Sequence, residues 1–367
     1  MLSAHFPPPP RRILAIKLAD LGDVLNITPA LRALRHTFPQ ARLDVLVNPH
    51  TAGLLHGSTL VDEVVTFAKT DFEGVSAFRP TAWLPLLGYL RALRSRGYDT
   101  VVDFHHLTTP LGRAKQRMLI MATGTATRVG LDNGHGGWFS HPVPDEGFGA
   151  RREVEYWLGL AAQLGAHSPD TRLDLPLSPA HQEAAAALLT QHGLRDRGFA
   201  VLHPGSGGYS LARRWDAAKF AALAAALHDR YGLPAVLVGT PADGADAVLA
   251  AAAAPLIDLS GRTSIKELAA VLGRAALFVG ADSGVMHMAA AMATPLVAIF
   301  GPTNHLAWAP WTPNSPSRVV RLGISCSPCA YVGHSVRWRN GCPERACLAD
   351  LEVHHVLAAV GEVVREA

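Results

Sequence analysis

Three short segments of the sequence carry residue types that could do chemistry, and each follows a predicted strand. The first is LGDV at 21–24, in which Gly22 allows a tight strand-to-helix turn. Asp23 then lies at the N-cap or in the first turn of the next helix, and two roles are open for it. It caps the helix, which is a very common role for an aspartate, or its carboxylate points into a cleft as a general base.

The second segment is the small-residue loop HPGSGG at 203–208, which is followed by RRW at 213–215. Backbone N–H groups of such a loop can surround an oxyanion, and a nearby cation such as Arg213 can neutralise it. The loop matches neither the G-x-x-x-x-G-K-S/T pattern of a P-loop nor the G-x-G-x-x-G dinucleotide pattern. Taken alone, the segment leaves a plain turn and an anion-binding loop equally open.

The third segment is GADSGVMH at 280–287, which follows an apolar strand and begins an Ala-rich helix. Asp282 can cap this helix, while Ser283 and Gly284 would present N–H groups at its positive end. A phosphate placed there would gain hydrogen bonds and the helix dipole. His287 lies about one turn into the helix, where a structural role and a functional role are both open.

Each half of the chain alternates short apolar runs with longer helical patterns, which is typical of parallel sheets covered on both faces. Strands are predicted at 13–18, 43–47, 63–67, 100–104, 128–131, 199–203, 235–239, 256–260, 277–281 and 296–300. Helices are predicted at 24–37, 81–96, 216–230, 243–254, 264–273, 283–292 and 353–365. Proline and turn residues at 168–180 mark a boundary. The sequence therefore predicts an α/β protein of two Rossmann-like domains, 1–175 and 176–367, whose sheets face one cleft that holds the chemistry.

Composition excludes several classes of protein. Of the 367 residues, 49% are hydrophobic and 17% are charged, which excludes a disordered chain. The net charge of +3 does not favour a nucleic-acid coat protein. We expect a cytoplasmic location, because the sequence has neither an apolar run of transmembrane length nor a start that resembles a signal peptide.

Basic residues are in excess at 91–128, because this segment contains seven Arg or Lys residues and only two acidic residues, Asp99 and Asp103. A solvated helix surface explains such an excess, and so does a binding site for an anionic molecule. Arginine suits the second role, because its guanidinium recognises carboxylate and phosphate groups in a bidentate manner.

All four cysteines lie near the C-terminus, with the spacing Cys326-x2-Cys329-x12-Cys342-x4-Cys347. Four thiolates within so short a segment predict a structural zinc or iron site. Two disulfides or free thiols are the alternatives, and a cytoplasmic location favours a metal over disulfides. A nucleic-acid-binding protein built on this cysteine cluster is a further alternative, supported only by the arginines at 337 and 339.

Taken together and in order, these motifs resemble glycosyltransferase family 9, the ADP-heptose heptosyltransferases of lipopolysaccharide core synthesis. Each motif is weak alone, but the ordered set over roughly residues 11–357 is specific. The matching segments are LGDV at 21–24, TPALRAL at 28–34, YDTVVD at 98–103, HPGS at 203–206, RRW at 213–215, DSGVMH at 282–287 and GPT at 301–303.

The resemblance implies a GT-B fold with the acceptor domain first and the nucleotide-sugar domain second. It implies an inverting, metal-independent transfer of heptose from ADP-heptose to an acceptor hydroxyl, foremost on a lipopolysaccharide core sugar. A protein, as in autotransporter heptosylation, or another glycoside is the alternative acceptor. The presence of Asp23 and Arg213 disfavours a non-catalytic nucleotide-sugar binder, because a pure binder needs no base. The order of the motifs disfavours the related 2-epimerases.

The resemblance also assigns roles to individual residues. Asp23 matches the catalytic base. Asp243 is assigned to the acidic position after the tripeptide Gly-Thr-Pro at 239–241, with Asp246 as the alternative. The donor site comprises Ser206, Arg213, Asp243, Asp282, Ser283, Gly284 and His287. For the acceptor site we predict Lys17 together with Arg113, Lys115, Arg117 and Arg128, the last four taken from the basic excess at 91–128.

The resemblance further implies the partners of the chain. We expect an ADP-sugar donor, an anionic glycolipid or glycosylated acceptor, no nucleic acid, and peripheral contact with the inner membrane. No catalytic metal is expected, because a helix N-terminus and Arg213 can offset the charge of the leaving diphosphate. The branch that modifies autotransporters is similar in having a four-cysteine iron site, which favours a structural ion at the cysteines.

Overall fold

The computed structural model describes residues 9–68, 80–207 and 210–367, and the chain divides into two compact units. Unit 1 comprises Met1–Gly147 and Glu153–Thr171, and unit 2 comprises Phe148–Arg152 and Arg172–Ala367. Each unit contains one six-stranded sheet in which every strand pairing is parallel. This confirms the α/β fold class with two Rossmann-like sheets.

Unit 1 has the strand order β3-β2-β1-β4-β5-β6. Its strands are β1 (Arg12–Lys17), β2 (Arg42–Val47), β3 (Glu63–Thr66), β4 (Thr100–Asp103), β5 (Thr127–Asp132) and β6 (His141–Pro144). Its helices are α1 (Leu21–Asn26), α2 (Thr28–Thr37), α3 (Pro80–Ser95), α4 (Pro110–Thr123) and α5 (Glu153–Ala162). The order reverses between β1 and β4, so the loops that follow these two strands border the switch point where such sheets bind ligands.

Unit 2 repeats this arrangement with the order β12-β11-β10-β7-β8-β9. Its strands are β7 (Ala200–His203), β8 (Ala235–Leu237), β9 (Ile257–Asp258), β10 (Leu277–Ala281), β11 (Leu296–Ile299) and β12 (Ser317–Val320). Its helices are α6 (Pro179–Gln191), α7 (Ala217–Tyr231), α8 (Ala245–Ala251), α9 (Ile265–Arg274), α10 (Gly284–Ala291), α11 (His305–Trp308), α12 (Ala346–Ala349) and α13 (Val353–Glu366). The switch point lies between β7 and β10. A separate antiparallel hairpin joins β13 (Ala330–Val332) to β14 (Ser335–Arg337).

The central strands bury nearly all of their aliphatic side chains, which explains why their sequences read as continuous apolar runs. The predicted helix 24–37 is wrong in one respect: it is two helices, and α2 begins at Thr28 with Pro29 in its first turn. Proline lacks the N–H group that a continuous helix would need there, but is well tolerated at a helix start. Among the described residues, no helix is both long and apolar enough to cross a bilayer.

Candidate active site

At the switch point of unit 1, four polar side chains lie at the ends of β1 and β4 or in the segments that follow them: Lys17, Asp23, Asp103 and His105. Lys17 is the last residue of β1, and its side chain is almost fully buried. Its Nζ donates a hydrogen bond of 2.9 Å to the backbone oxygen of Phe104 and lies 4.2 Å from the centre of the Trp157 ring. The same ammonium lies 3.5 Å from Oδ1 of Asp23. Lys17, predicted as an acceptor contact, is therefore held by groups of the protein itself.

Asp23 lies in the first turn of α1, and Asp20 occupies the N-cap position. The alternative in which Asp23 is the cap is therefore wrong. The Asp23 side chain is 31% exposed, so one side of the carboxylate meets Lys17 while solvent reaches the group. This combination of a fixed cation and an open approach suits a carboxylate that accepts a proton from a bound molecule.

His105 ties the loop after β4 to the loop after β1. Its Nε2 accepts a hydrogen bond of 2.9 Å from the backbone N–H of Leu18. Because Nε2 is the acceptor, the ring proton resides on Nδ1, which lies 2.6 Å from Oδ1 of Asp103. Asp103 is fully buried at the end of β4, so this chain of bonds fixes the backbone just after Lys17.

His106 is buried between two carboxylates that the sequence analysis did not identify. Its Nδ1 lies 2.9 Å from Asp145 and its Nε2 lies 3.0 Å from Glu153. Burial lowers the pKa of His106, but the two carboxylates outweigh it and raise the pKa to about 9. The ring also contacts Trp157, which lies beneath Lys17. The sequence feature that could have identified this site is the pair His105-His106, which directly follows the predicted strand 100–104.

The other predicted acceptor residues lie in two places. Arg113, Lys115 and Arg117 are on α4, and Arg117 is exposed. Arg128 lies at the start of β5, where its guanidinium donates hydrogen bonds to the backbone oxygens of Trp138 and Thr125. On α4, Arg113 and Arg117 thus share one side of the helix and Lys115 lies on the opposite side, while backbone contacts hold Arg128.

At the switch point of unit 2, Arg213 joins the loops that follow β7 and β10. Its Nη2 donates a hydrogen bond of 2.7 Å to the backbone oxygen of Ser206, and its Nη1 lies 3.4 Å from Oδ2 of Asp282. The Ser206 hydroxyl donates to the backbone oxygen of Ser210. The structure therefore brings Ser206, Arg213 and Asp282 together as predicted, while Gly208 lies outside the described residues.

Ser283, rather than Asp282, is the N-cap of α10, and its Oγ accepts a hydrogen bond from the backbone N–H of Met286. The prediction that Asp282 caps this helix is wrong, because the Asp282 carboxylate is engaged by Arg213. The Ser283 Oγ also lies 3.1 Å from Nδ1 of the buried His203. Gly284 is the first residue of α10, and His287 is buried in its first turns.

Asp243 is directed inward, although it was predicted to contact donor hydroxyls. Its Oδ2 accepts hydrogen bonds of 2.8 and 2.7 Å from the N–H and hydroxyl of Thr240, and it lies 3.7 Å from Nε2 of His203. Burial raises the pKa of Asp243, but these donors outweigh burial and hold it well below its usual range. A Cβ at Gly205 would lie 2.1 Å from Asp243, so only glycine fits there.

All four cysteines line one pocket of about 140 Å³, and all four are free thiols in the structure. Burial and the neighbouring cysteines raise the pKa of Cys329, and they raise the pKa of Cys347 to about 11. Within residues 9–68, 80–207 and 210–367, no three His, Cys, Asp or Glu side chains are arranged to hold a metal ion. The thiols of Cys326, Cys329, Cys342 and Cys347 thus line one pocket, but their positions do not form the predicted four-thiolate site.

Comparison with known proteins identifies the family. Residues 87–336 match the family described as glycosyltransferase family 9 (heptosyltransferase). The chain belongs to glycosyltransferase family 9. It is therefore a glycosyltransferase, as the ordered motifs predicted.

Individual relatives extend the match over most of the chain. It is 29% identical to lipopolysaccharide heptosyltransferase 3 of Escherichia coli over 305 residues, which is 80% of this chain and 84% of that protein. Among solved structures, it is similar to a family 9 glycosyltransferase of Veillonella parvula, with a TM-score of 0.74, 20% identity and coverage of 97% and 98%. It is also similar to the ADP-heptose LPS heptosyltransferase II of E. coli, with a TM-score of 0.68, 23% identity and coverage of 96% and 98%. These structures confirm the GT-B fold.

Proposed function

We propose that this glycosyltransferase transfers a heptose from ADP-heptose to a hydroxyl group of a lipopolysaccharide core sugar. The transfer inverts the anomeric carbon and uses no catalytic metal. The observation that carries the proposal is the Asp23 carboxylate at the switch point of unit 1, which is partly exposed and paired with Lys17. The choice of sugar and acceptor rests on the similarity to lipopolysaccharide heptosyltransferase 3 of E. coli.

In the proposed step, Asp23 takes the proton of the acceptor hydroxyl as the oxygen attacks the anomeric carbon. The bond between that carbon and the diphosphate oxygen breaks, and ADP leaves with the electron pair. A single displacement of this kind inverts the anomeric configuration. The fixed contact with Lys17 restricts the directions in which the carboxylate can point, which favours a productive approach.

The leaving ADP gains negative charge on its diphosphate, and unit 2 offers fixed groups that would stabilise it. Arg213 supplies a guanidinium that is already held by Ser206 and Asp282. The first N–H groups of α10, which begins at Gly284, supply further donors at the positive end of the helix. Because these groups are in place before reaction, they can perform the role that a divalent ion performs in other transferases.

The proposed acceptor is anionic and linked to lipid, and the enzyme would work at the cytoplasmic side of the inner membrane. Support for an anionic acceptor comes from Arg113 and Arg117, which share one side of α4, and from Lys115 on the same helix. Nucleic acid is not part of the proposal, because the net charge of the chain is only +3.

A panel of ADP-heptose, a UDP-hexose and a GDP-hexose, each offered with a deacylated core oligosaccharide, tests the proposed function. We expect transfer from ADP-heptose alone, an inverted anomer by NMR, and the same rate with EDTA. Faster transfer from the UDP or GDP sugar would contradict the assignment of the donor. A rate that depends on added magnesium would contradict the proposed role of Arg213 and α10.

A structural zinc or iron ion at the four cysteines is a separate proposal. Its support is that all four thiols line one pocket and that none forms a disulfide. Binding would require the thiols to lose their protons and turn towards a common centre. Elemental analysis of protein purified under reducing conditions should find about one ion per chain. Absence of zinc and iron, together with four titratable thiols, would refute it.

A further inference from the structure

We propose that the solvent-facing sides of α3 and α4 form a surface that docks on an anionic lipid bilayer. This α3–α4 face consists of Leu84, Leu87, Leu111 and Met121 together with Arg91 and Arg117. The inference deepens the proposed function, on which it rests for the presence of a lipid-linked acceptor. The surface itself is argued from the exposure, spacing and charge of these two helices.

Large hydrophobic side chains are exposed on the α3–α4 face to an unusual degree. Leu84 is 76% exposed, Leu111 is 66% exposed, and Leu87 and Met121 are exposed by nearly half. Within the described part of unit 1, these four are all of the large hydrophobic side chains that are exposed. An apolar surface confined to one place on a unit marks an interaction site rather than chance exposure.

On α3 the helical spacing places the exposed side chains along one stripe. On α3, Leu84, Leu87 and Arg91 are separated by three and four residues, so they share one side. The residues on the opposite side of α3, Leu86 and Leu93, are buried in the core of unit 1. This stripe therefore faces away from the core of unit 1.

On α4 the exposed side chains occupy a wider arc, because Leu111 and Arg117 are six residues apart, or about 120° around the helix. Leu111, Arg117 and Met121 are exposed, whereas Leu119 and Ile120 are buried in the core. The apolar and basic side chains are thus available together on the outer side of both helices.

The exposed sides of α3 and α4 are neighbours, because the two helices pack against each other. A Cβ at Gly124, which follows α4, would lie 2.4 Å from Nη1 of Arg94 near the end of α3. The C-terminal ends of the two helices are therefore adjacent, and the helices run in the same direction between parallel strands. Leu84 and Leu111 then lie in the N-terminal halves of the helices, towards the carboxyl ends of the strands. Asp23 also follows a carboxyl end, that of β1.

The charge of the two helices complements an anionic lipid surface. Neither helix contains Asp or Glu, whereas together they carry Arg91, Arg94, Arg113, Lys115 and Arg117. Apolar side chains that enter the interface, flanked by basic side chains at headgroup level, are the features by which interfacial helices bind acidic lipids. We therefore commit to a bilayer that contains phosphatidylglycerol or a similar anionic lipid, in preference to a second copy of the chain.

Vesicle flotation with the full-length protein tests this inference. We expect the protein to float with vesicles of an equimolar mixture of phosphatidylcholine and phosphatidylglycerol, and much less with phosphatidylcholine alone. Leu111→Gln should weaken the binding by about tenfold, because a leucine no longer enters the interface. Leu306→Gln is the matched control, because Leu306 in unit 2 is similarly exposed, and it should bind as the wild type.

The basic side chains are tested in the same assay. Arg117→Gln should lower binding by roughly fivefold, and the control Arg230→Gln on α7 should not change it. Circular dichroism and melting temperature should be unchanged in all four variants, because each substituted side chain is exposed.

The inference is overturned if the wild-type protein does not float with the anionic vesicles, or if Leu111→Gln and Leu306→Gln float equally well. It is also overturned if sedimentation shows a lipid-free dimer that Leu111→Gln dissociates, because a second copy then covers this surface. Failure of the proposed function gives a different result: no heptose transfer to a water-soluble acceptor, whatever the vesicles show.

Discussion

The ammonium group of Lys17 joins the Asp23 carboxylate to the backbone of Phe104, the residue that directly follows β4. Its Nζ lies 3.5 Å from Asp23 and donates a hydrogen bond to the backbone oxygen of Phe104, above the Trp157 ring. Three contacts from different elements fix this ammonium, so Asp23 faces a cation that cannot move away. We infer that Lys17 positions the proposed base rather than contacting the acceptor.

Replacement of Lys17 tests this positioning role. Lys17→Met should lower kcat by roughly 10–100-fold, because small displacements of a catalytic group are costly. ADP affinity should not change, because the proposed donor residues lie in unit 2. Steady-state kinetics and calorimetric titration with ADP provide the two measurements.

The conservative variant Lys17→Arg separates positioning from simple loss of packing. It retains a cation near Asp23 and should recover part of kcat. If the Met and Arg variants have equal melting temperatures and both keep the wild-type kcat per folded molecule, Lys17 has no positioning role.

Arg213 is expected to act on the diphosphate of the donor. Arg213→Ala should weaken ADP binding by about 1.5–3 kcal/mol, because a charge-assisted hydrogen bond to phosphate is lost. Adenosine binding should change much less, since adenosine lacks the diphosphate. The two affinities can be compared by calorimetry.

The exposed Arg230 provides a control for the charge of the chain, and Arg230→Ala should leave both affinities unchanged. An equal loss of ADP and adenosine affinity in Arg213→Ala would mean that Arg213 acts through the conformation of the loop. It would not then contact the phosphates.

His106 should make stability depend on pH. Its pKa is raised from 6.5 to about 9, so its stabilising contribution is complete below pH 6.5 and is lost as the pH rises through about 9. The contribution is up to about 3 kcal/mol. Denaturant titrations from pH 6 to pH 10 should therefore show a fall in the free energy of unfolding.

The variant His106→Gln separates this effect from other groups that titrate in the same range, such as Lys266, whose pKa burial lowers to about 8. It should be less stable at pH 6, because Asp145 and Glu153 lose their shared cation, and its stability should fall less steeply above pH 7. His135→Gln, at an exposed position, is the control. Equal pH slopes for His106→Gln and the wild type would contradict the assignment.

Strand ends could be read from the sequence because burial on both faces makes each parallel strand a continuous apolar run. Asp23 and Ser283 were therefore placed correctly, at the start of the helices that follow β1 and β10. The edge strands β6 and β12 were missed, since β6 contains Pro142 and Pro144 and is only half-buried. Prolines argue against a strand, and an edge position is what makes them tolerable.

Long-range partners account for most of what the sequence did not reveal. His106 meets Asp145 and Glu153 across 39 and 47 residues, and Arg213 meets Asp282 across 69. No local pattern encodes such pairs, because they depend on how the strands are ordered in the sheet. For the same reason, the inward orientation of Asp243 became visible only when His203 and Thr240 were placed beside it.

The turnover of Asp23→Asn tests the central claim most directly. This variant keeps the size of the side chain but cannot accept the proton of the acceptor hydroxyl. Measured with ADP-heptose and a core oligosaccharide, kcat should fall by roughly 10²–10⁴-fold while ADP affinity and melting temperature stay close to those of the wild type. A variant that melts at a lower temperature but retains the wild-type kcat would contradict the account, because Asp23 would then stabilise the fold without taking part in the reaction.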